Sequence, residues 1–310
     1  MNPSVSWQQR VGNQRDWVWQ GWQTRYTYIR PPQSHSTLTP PVLLLHGFGT
    51  SIGHWRHNLP VLGQNYPVYA LDLLGFGSSR KAGTTYTIEL WVNQVYEFWR
   101  TLIQHPVVLV GNSIGSLVAL SAAATHPEMV KGLALINLPD FSLREEALPG
   151  WLRPVVSTVE GLVASPVVLQ SLFYLLRRPS IVQKWAGLAY ANPRAIDAEL
   201  VDILTQPARD RGAAATFSAL FKGMTSSKFG LPVKSVLPTL DSPILLIWGR
   251  QDRMIPSQLA QQFAALNPSI KLIELDNAGH CPHDECPEQF NQMLLDWLAG
   301  MEDVLSIHVK

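Results

Sequence analysis

Residues 107–115 read Val-Val-Leu-Val-Gly-Asn-Ser-Ile-Gly, and the chain continues through Ser116 into Leu117-Val-Ala-Leu-Ser-Ala-Ala-Ala124. The apolar run Val107–Val110 suits a buried strand, and Leu117–Ala124 suits a helix. The G-x-S-x-G pattern, Gly111 to Gly115, falls at the junction between them. A chain that turns so sharply from strand into helix brings two backbones together where a Cβ atom has no room, which accounts for Gly111 and Gly115. Ser113 then sits on a strained turn with its hydroxyl presented at the end of a sheet. A loop serine between two packing glycines would spell the same five letters. The strand before and the helix after favour a candidate nucleophile instead.

The same rhythm extends outward in both directions. Apolar runs at Val42–His46, Val68–Asp72, Val107–Gly111 and Gly132–Asn137 each end at punctuation, with helical patterns between them. In Thr87–Leu102, for example, Ile88, Trp91, Val95, Phe98 and Leu102 recur at three- and four-residue intervals on one face. Runs at Ile244–Trp248 and Ile270–Leu275 resume the pattern, and Glu288–Leu298 reads as a closing helix. Strands alternating with helices predict an α/β fold with a mostly parallel central sheet flanked by helices. At the start, Trp17-Val-Trp-Gln and Arg25-Tyr-Thr-Tyr-Ile-Arg alternate as an antiparallel hairpin does, and the Pro-, Ser- and Thr-rich Pro31–Pro41 is a loop. Between Asp140 and about Leu237 the strand rhythm stops, and helix-like segments are broken by Pro149, Pro154, Pro166, Pro179, Pro193 and Pro207. The expected organisation is a core over 1–140 and 238–310, with a helical cap inserted at 141–237.

Composition narrows the function. Hydrophobic residues make up 46% of the 310 residues and charged residues 15%, with a formal net charge of +1 and no basic block, so nucleic acid is not an expected partner. The N-terminus lacks a charged n-region followed by an apolar stretch, and no apolar run is long enough to span a bilayer. The two cysteines, Cys281 and Cys286, are no disulfide framework, and the expectation is a reducing, cytoplasmic compartment. A metal held by Cys281, His283 and Cys286 would lack the fourth ligand of a structural zinc site. No metal or other cofactor is expected.

A serine hydroxyl is a poor nucleophile near neutral pH and needs a base within hydrogen-bond reach. Asn277-Ala-Gly-His280 follows the last predicted strand, which presents His280 from a loop. Trp248-Gly-Arg-Gln-Asp252 follows the preceding strand in the same way, so Asp252 is expected to accept Nδ1–H of His280 and fix its tautomer. Asp140, also just beyond a strand, is the rival acid. His283, beside Asp284 and Glu285, reads as a surface residue, and His105 and His126 lie at helix ends. Leu44-Leu-His-Gly-Phe-Gly49 follows a strand as an H-G-x-G turn, and the expected oxyanion donors are the backbone N–H groups of Phe48 and Ile114.

Through His46–Gly49, Asp72-Leu-Leu-Gly-Phe-Gly-Ser-Ser79, Gly111–Gly115 and the Asp252 and His280 turns, the chain resembles the α/β-hydrolase superfamily. The resemblance covers most of the chain outside the cap and implies a nucleophile–acid–histidine order matching Ser113, Asp252 and His280. Ala70–Gly77, Val110–Gly115 and Ala123-Ala-Thr-His-Pro-Glu128 resemble the pheophytinase and chlorophyll dephytylase group of plants and cyanobacteria, although Ser116 stands where a second glycine is expected in pheophytinase. That group's activity implies hydrolysis of an apolar phytyl ester of chlorophyll or pheophytin, in peripheral contact with a photosynthetic membrane. A serine rather than an aspartate at 113 separates the chain from haloalkane dehalogenases and epoxide hydrolases. A generic carboxylesterase, a carbon–carbon bond hydrolase and a non-catalytic ligand-binding or pigment-synthesis accessory protein share the same pattern. The oligomeric state is not legible.

Overall fold

The computed structural model describes residues 5–32, 39–143, 165–226 and 229–307. Eight strands form a single sheet: β1 (Gln14–Trp19), β2 (Trp22–Ile29), β3 (Val42–Leu45), β4 (Val68–Leu71), β5 (Val107–Asn112), β6 (Val130–Ile136), β7 (Ile244–Gly249) and β8 (Ile270–Leu275). Their spatial order is β1-β2-β4-β3-β5-β6-β7-β8. The hairpin β1–β2 joins β4 antiparallel, and every pairing from β4 to β8 is parallel. In β3, β5 and β7 every residue is buried, which is why they read as unbroken apolar runs.

The longer helices, in chain order, are α1 (Ile88–Phe98), α2 (Ile114–Thr125), α3 (Pro166–Leu176), α4 (Pro179–Ala189), α5 (Ala198–Thr205), α6 (Ala213–Met224), α7 (Gln258–Ala264) and α8 (Pro287–Ile307). One face of the sheet, through Leu43, Leu45, Leu109, Leu133 and Leu246, packs on Trp91 and Val95 of α1, Leu117 and Leu120 of α2 and Phe263 of α7. The opposite face, through Val42, Leu44, Val108, Val110 and Ile247, packs on Phe290, Leu294 and Leu298 of α8. Burial of one such side chain contributes about 1.5–3 kcal/mol, so these two layers dominate the stability.

The strands from β3 to β8 follow the sequence reading within a residue or two, and the two hairpin strands each begin three residues earlier than expected. The helix expected over Thr87–Leu102 ends as α-helix at Phe98 and continues as one wider turn, Trp99–Ile103. Gln104, at φ 63°, closes that turn by donating its N–H to Trp99 O. The closing helix runs well past Leu298, to Ile307. Between β6 and β7 the described residues contain helices and turns and no strand.

Topology places the chemistry. Growth of the sheet reverses at β3, which lies between β4 and β5, and the crevice beyond the carboxyl ends at such a reversal is where α/β sheets bind ligands. Leu45 and Gly111 are register partners, so the turns leaving β3 and β5 emerge side by side. A Cβ on Gly115 would lie 2.2 Å from Leu45 O, whereas one on Gly83 would meet nothing within 4 Å. Gly115→Ala is therefore expected to lower unfolding free energy by about 1–3 kcal/mol or more. Gly83→Ala should leave it nearly unchanged, and urea denaturation of the two variants provides the comparison.

Candidate active site

Ser113 has φ 54° and ψ −118°, a conformation that side-chain-bearing residues rarely adopt. The surrounding backbone over-determines it. Ser113 N–H donates to Ile136 O at 2.9 Å and its carbonyl accepts from Ser116 N–H at 2.9 Å. A Cβ on Gly111 would stand 2.3 Å from the Gly115 carbonyl carbon. Ser116, at the place where a second glycine was expected, is fully buried and ties this turn to β6. Its Oγ accepts from Ile136 N–H at 2.9 Å and lies 2.6 Å from Gly111 O. Ile114 opens α2, so its N–H has no carbonyl one turn earlier to bond.

The turn after β3 packs directly on this elbow, since a Cβ on Gly47 would lie 2.8 Å from Asn112 Oδ1. His46 holds the turn in shape. Its Nδ1–H donates to Gly47 O at 2.8 Å and its Nε2 accepts from Leu73 N–H at 3.1 Å. Burial pushes the His46 pKa down to about 4, so the ring is a neutral structural brace rather than a base. The Phe48 ring is 38% exposed and projects from this turn.

The loops after β7 and β8 meet equally closely, because a Cβ on Gly249 would lie 2.0 Å from Gly279 O. His280 Nδ1–H donates to Asp252 Oδ2 at 2.8 Å. The other Asp252 oxygen, Oδ1, accepts from Met254 N–H at 2.7 Å and Ile255 N–H at 3.0 Å. Burial alone would raise the Asp252 pKa. The hydrogen bonds from His280, Ile255 and Asn137 outweigh it and hold the carboxyl below its ordinary value. Asn137, immediately after β6 and at φ 49°, is the residue that sequence reading passed over. Its Nδ2 donates to the same Oδ2 that His280 uses, and its Oδ1 accepts from Gly249 N–H at 3.4 Å. An Asn at the end of a buried strand, able to tolerate positive φ, is the signal that could have flagged it.

Asn112 completes the assembly by donating from Nδ2 to His280 O at 3.0 Å, which ties the residue before Ser113 to the histidine loop. Among the described residues Ser113 Oγ makes no hydrogen bond to His280, a contact that often tightens only when substrate is bound. Asp140 stands apart: its Oδ1 accepts from Ser142 N–H at 3.0 Å and Ser142 Oγ at 2.6 Å.

The expectation for His283 is corrected. It is fully buried, its ring lies 4.3 Å from that of Trp55, and its Nε2 is 3.2 Å from His54 Nδ1. Its charged neighbours misled the reading, because Asp284 and Glu285 are themselves buried and bonded. Asp284 pairs with Arg56 at 2.7 Å, and Glu285 accepts from backbone N–H groups of Gly279 and Asn192.

A cleft of about 180 Å³, open to solvent, lies between the β3 turn and the helices that follow β6. Its wall is mainly apolar, with Phe48 and Phe76 on one side and Phe173, Leu176, Phe217 and Leu220 on the other, while Lys81 and Arg177 supply the charge. It is bounded by Phe48 and Gly49 of the turn after β3, which packs on the elbow, and not by Ser113 itself. Within the expected cap, Trp151–Leu176 is rich in Val and Leu, and its residues 151–164 lie outside the described residues. In the remainder, Leu169 and Phe173 are buried, whereas Val167, Val168, Leu172, Tyr174 and Leu175 are exposed.

The chain is 27% identical over 304 residues to chloroplastic pheophytinase of Arabidopsis thaliana, covering 85% of this chain and 62% of that protein. It thus spans less than two thirds of that relative's length. It is 26% identical over 273 residues to 2-hydroxy-6-oxo-6-(2'-aminophenyl)hexa-2,4-dienoic acid hydrolase of Metapseudomonas resinovorans, covering 85% of this chain and 86% of that one. Among solved structures, a bacterial membrane phospholipase A superposes with a TM-score of 0.74 at 27% identity, covering 95% of this chain and 88% of that chain. The model of the alpha/beta hydrolase fold matches residues 40–287, most of the chain, and the chain belongs to the α/β-hydrolase family.

Proposed function

We propose that the protein is a serine carboxylic-ester hydrolase. The observation that carries this reading is the 2.8 Å bond from His280 Nδ1 to an ionised, buried Asp252, on loops that adjoin the strained Ser113 turn. Ser113 Oγ attacks the ester carbonyl while His280 Nε2 takes its proton, and Asp252 stabilises the imidazolium that forms. The N–H groups of Phe48 and Ile114 receive the oxyanion. Collapse expels the alcohol, which takes the proton from His280 and leaves an acyl group on Ser113. Water, activated by the same histidine, then releases the acid.

For the substrate we propose an apolar ester bearing a long acyl or isoprenoid chain, with the phytyl ester of chlorophyll or pheophytin as the leading candidate. In this reading residues 141–237 act as a cap whose helices close the cleft over the chain. Two lines support it: the aromatic and aliphatic wall beside Phe48, and the likeness to pheophytinase. Each methylene removed from water contributes about 0.8 kcal/mol, so a chain of that length supplies most of the binding. The enzyme would act at a membrane surface; no helix among the described residues is long and apolar enough to cross one. The likeness to a dienoic acid hydrolase favours a second reading, carbon–carbon bond hydrolysis by the same residues.

Ser113→Ala is expected to abolish labelling by a fluorophosphonate and to lower esterase turnover by several orders of magnitude without changing the melting temperature much. Undiminished labelling of that variant would remove Ser113 from its role. Asp252→Asn should cost on the order of 10⁴ in kcat through the wrong imidazole tautomer, and Asp140→Asn should be mild; the reverse ranking reassigns the acid. Substrate is tested by incubating the enzyme in detergent with chlorophyll a, pheophytin a, p-nitrophenyl esters of short and long chains, and a 2-hydroxy-6-oxo-dienoate. Release of phytol supports the leading candidate. Brisk turnover of short esters alone leaves a generic carboxylesterase, turnover of the dienoate alone supports the second reading, and turnover of nothing points to an accessory protein.

A further inference from the structure

The end of α4 and the loop that carries His280 are joined by a seam of buried polar contacts. Ala189 O accepts the backbone N–H of His280 itself at 2.6 Å. Tyr190 Oη donates to Asp284 Oδ2 at 2.7 Å and accepts from His54 Nε2–H at 2.9 Å. Asn192 N–H donates to Glu285 Oε1, while Glu285 Oε2 accepts Gly279 N–H at 2.7 Å, so one carboxylate bridges the two segments. The backbones touch: a Cβ on Gly279 would lie 2.2 Å from Ala189 O and 2.8 Å from Ala191 N. Tyr190 is 3% exposed, and Arg56 anchors Asp284 from the far side at 2.7 Å.

These contacts bear directly on the His280 loop, whereas the Asp252 loop meets α4 through Arg253 Nη1, which donates to Gly187 O at 3.3 Å. Asp252 is held by Met254, Ile255 and Asn137, and Asn137 Nδ2 also lies 3.4 Å from Gly279 O. The histidine loop, by contrast, takes a backbone bond, a packing surface and a carboxylate bridge from the 189–192 segment. A shift of that segment therefore acts first on the His280 loop and changes the geometry of His280 toward Asp252.

We propose that Tyr190 is a positioning residue, which seats the helical insertion against residues 279–285 and thereby sets the orientation of His280 toward Asp252 and Ser113. The proposal rests on the reading of His280 as general base. It makes correct seating of the insertion a condition for turnover as well as for substrate binding. A phenylalanine at 190 keeps the ring packing but leaves Asp284 Oδ2 and His54 Nε2–H buried without their shared partner, so the seam must relax.

The test compares wild type, Tyr190→Phe and His280→Ala with p-nitrophenyl acetate, an ester too short to use the apolar cleft. Each is also followed by the downfield proton NMR resonance of the His280 Nδ1–H, identified by its loss in His280→Ala. Tyr190→Phe is expected to lower kcat roughly 10- to 100-fold, to change KM little, and to shift or broaden that resonance. A folded Tyr190→Phe with wild-type kcat and an unchanged resonance overturns the proposal. Should that variant not fold, Glu285→Gln, which turns one bridging acceptor into a donor, is read by the same criteria. Full activity in His280→Ala would instead sink the general-base reading, and the resonance would still report whether the seam orients the imidazole.

Discussion

The backbone of Gly115 lies against the end of β3 so closely that a Cβ would stand 2.2 Å from Leu45 O, and that approach forces the chain at Ser113 into positive φ. The strain is affordable because the neighbours on both sides are the fully buried strands β3 and β5, fixed in register with Leu45 opposite Gly111. From this point the rest of the candidate site is placed by sheet order. The turn after β3 abuts the elbow, and the ends of β6, β7 and β8 deliver Asn137, Asp252 and His280 in sequence along the same edge.

The partners that polar groups behind that edge find decide what each residue can do. His46 is kept neutral by burial and spends both ring nitrogens on backbone. Asp252 is kept ionised by its donors despite burial. Asp284 shows the intermediate case: burial raises its pKa to about 6, with Arg56 and Tyr190 opposing the rise. Three groups in one region thus take different charge behaviour from their partners, not from their residue type.

The helices after β6 contribute in two ways. Through Phe173, Leu176, Phe217 and Leu220 they face the β3 turn across an apolar cleft, the feature that supports a long-chain ester. Through residues 189–192 they bond to the histidine loop. In the proposed enzyme the helices after β6 thus serve both tasks, lining the cleft from α3 and α6 and bonding to the histidine loop at the end of α4.

Local pattern was enough to read the strands, the glycine-flanked Ser113 turn, the family, and the candidate pair Asp252 and His280. Each of these is announced within a few residues by apolar runs and the punctuation that follows them. What the pattern left out depends on contacts distant in sequence. Asn137 meets Asp252 across 115 residues and Tyr190 meets Asp284 across 94, and neither partner marks the other locally. His283 looked exposed because it is flanked by charge, and only folding brings Arg56, Tyr190 and the Gly279 and Asn192 amides to bury that charge. Periodicity reports which face of an element is apolar. Which buried polar groups find one another is decided by how the elements stack.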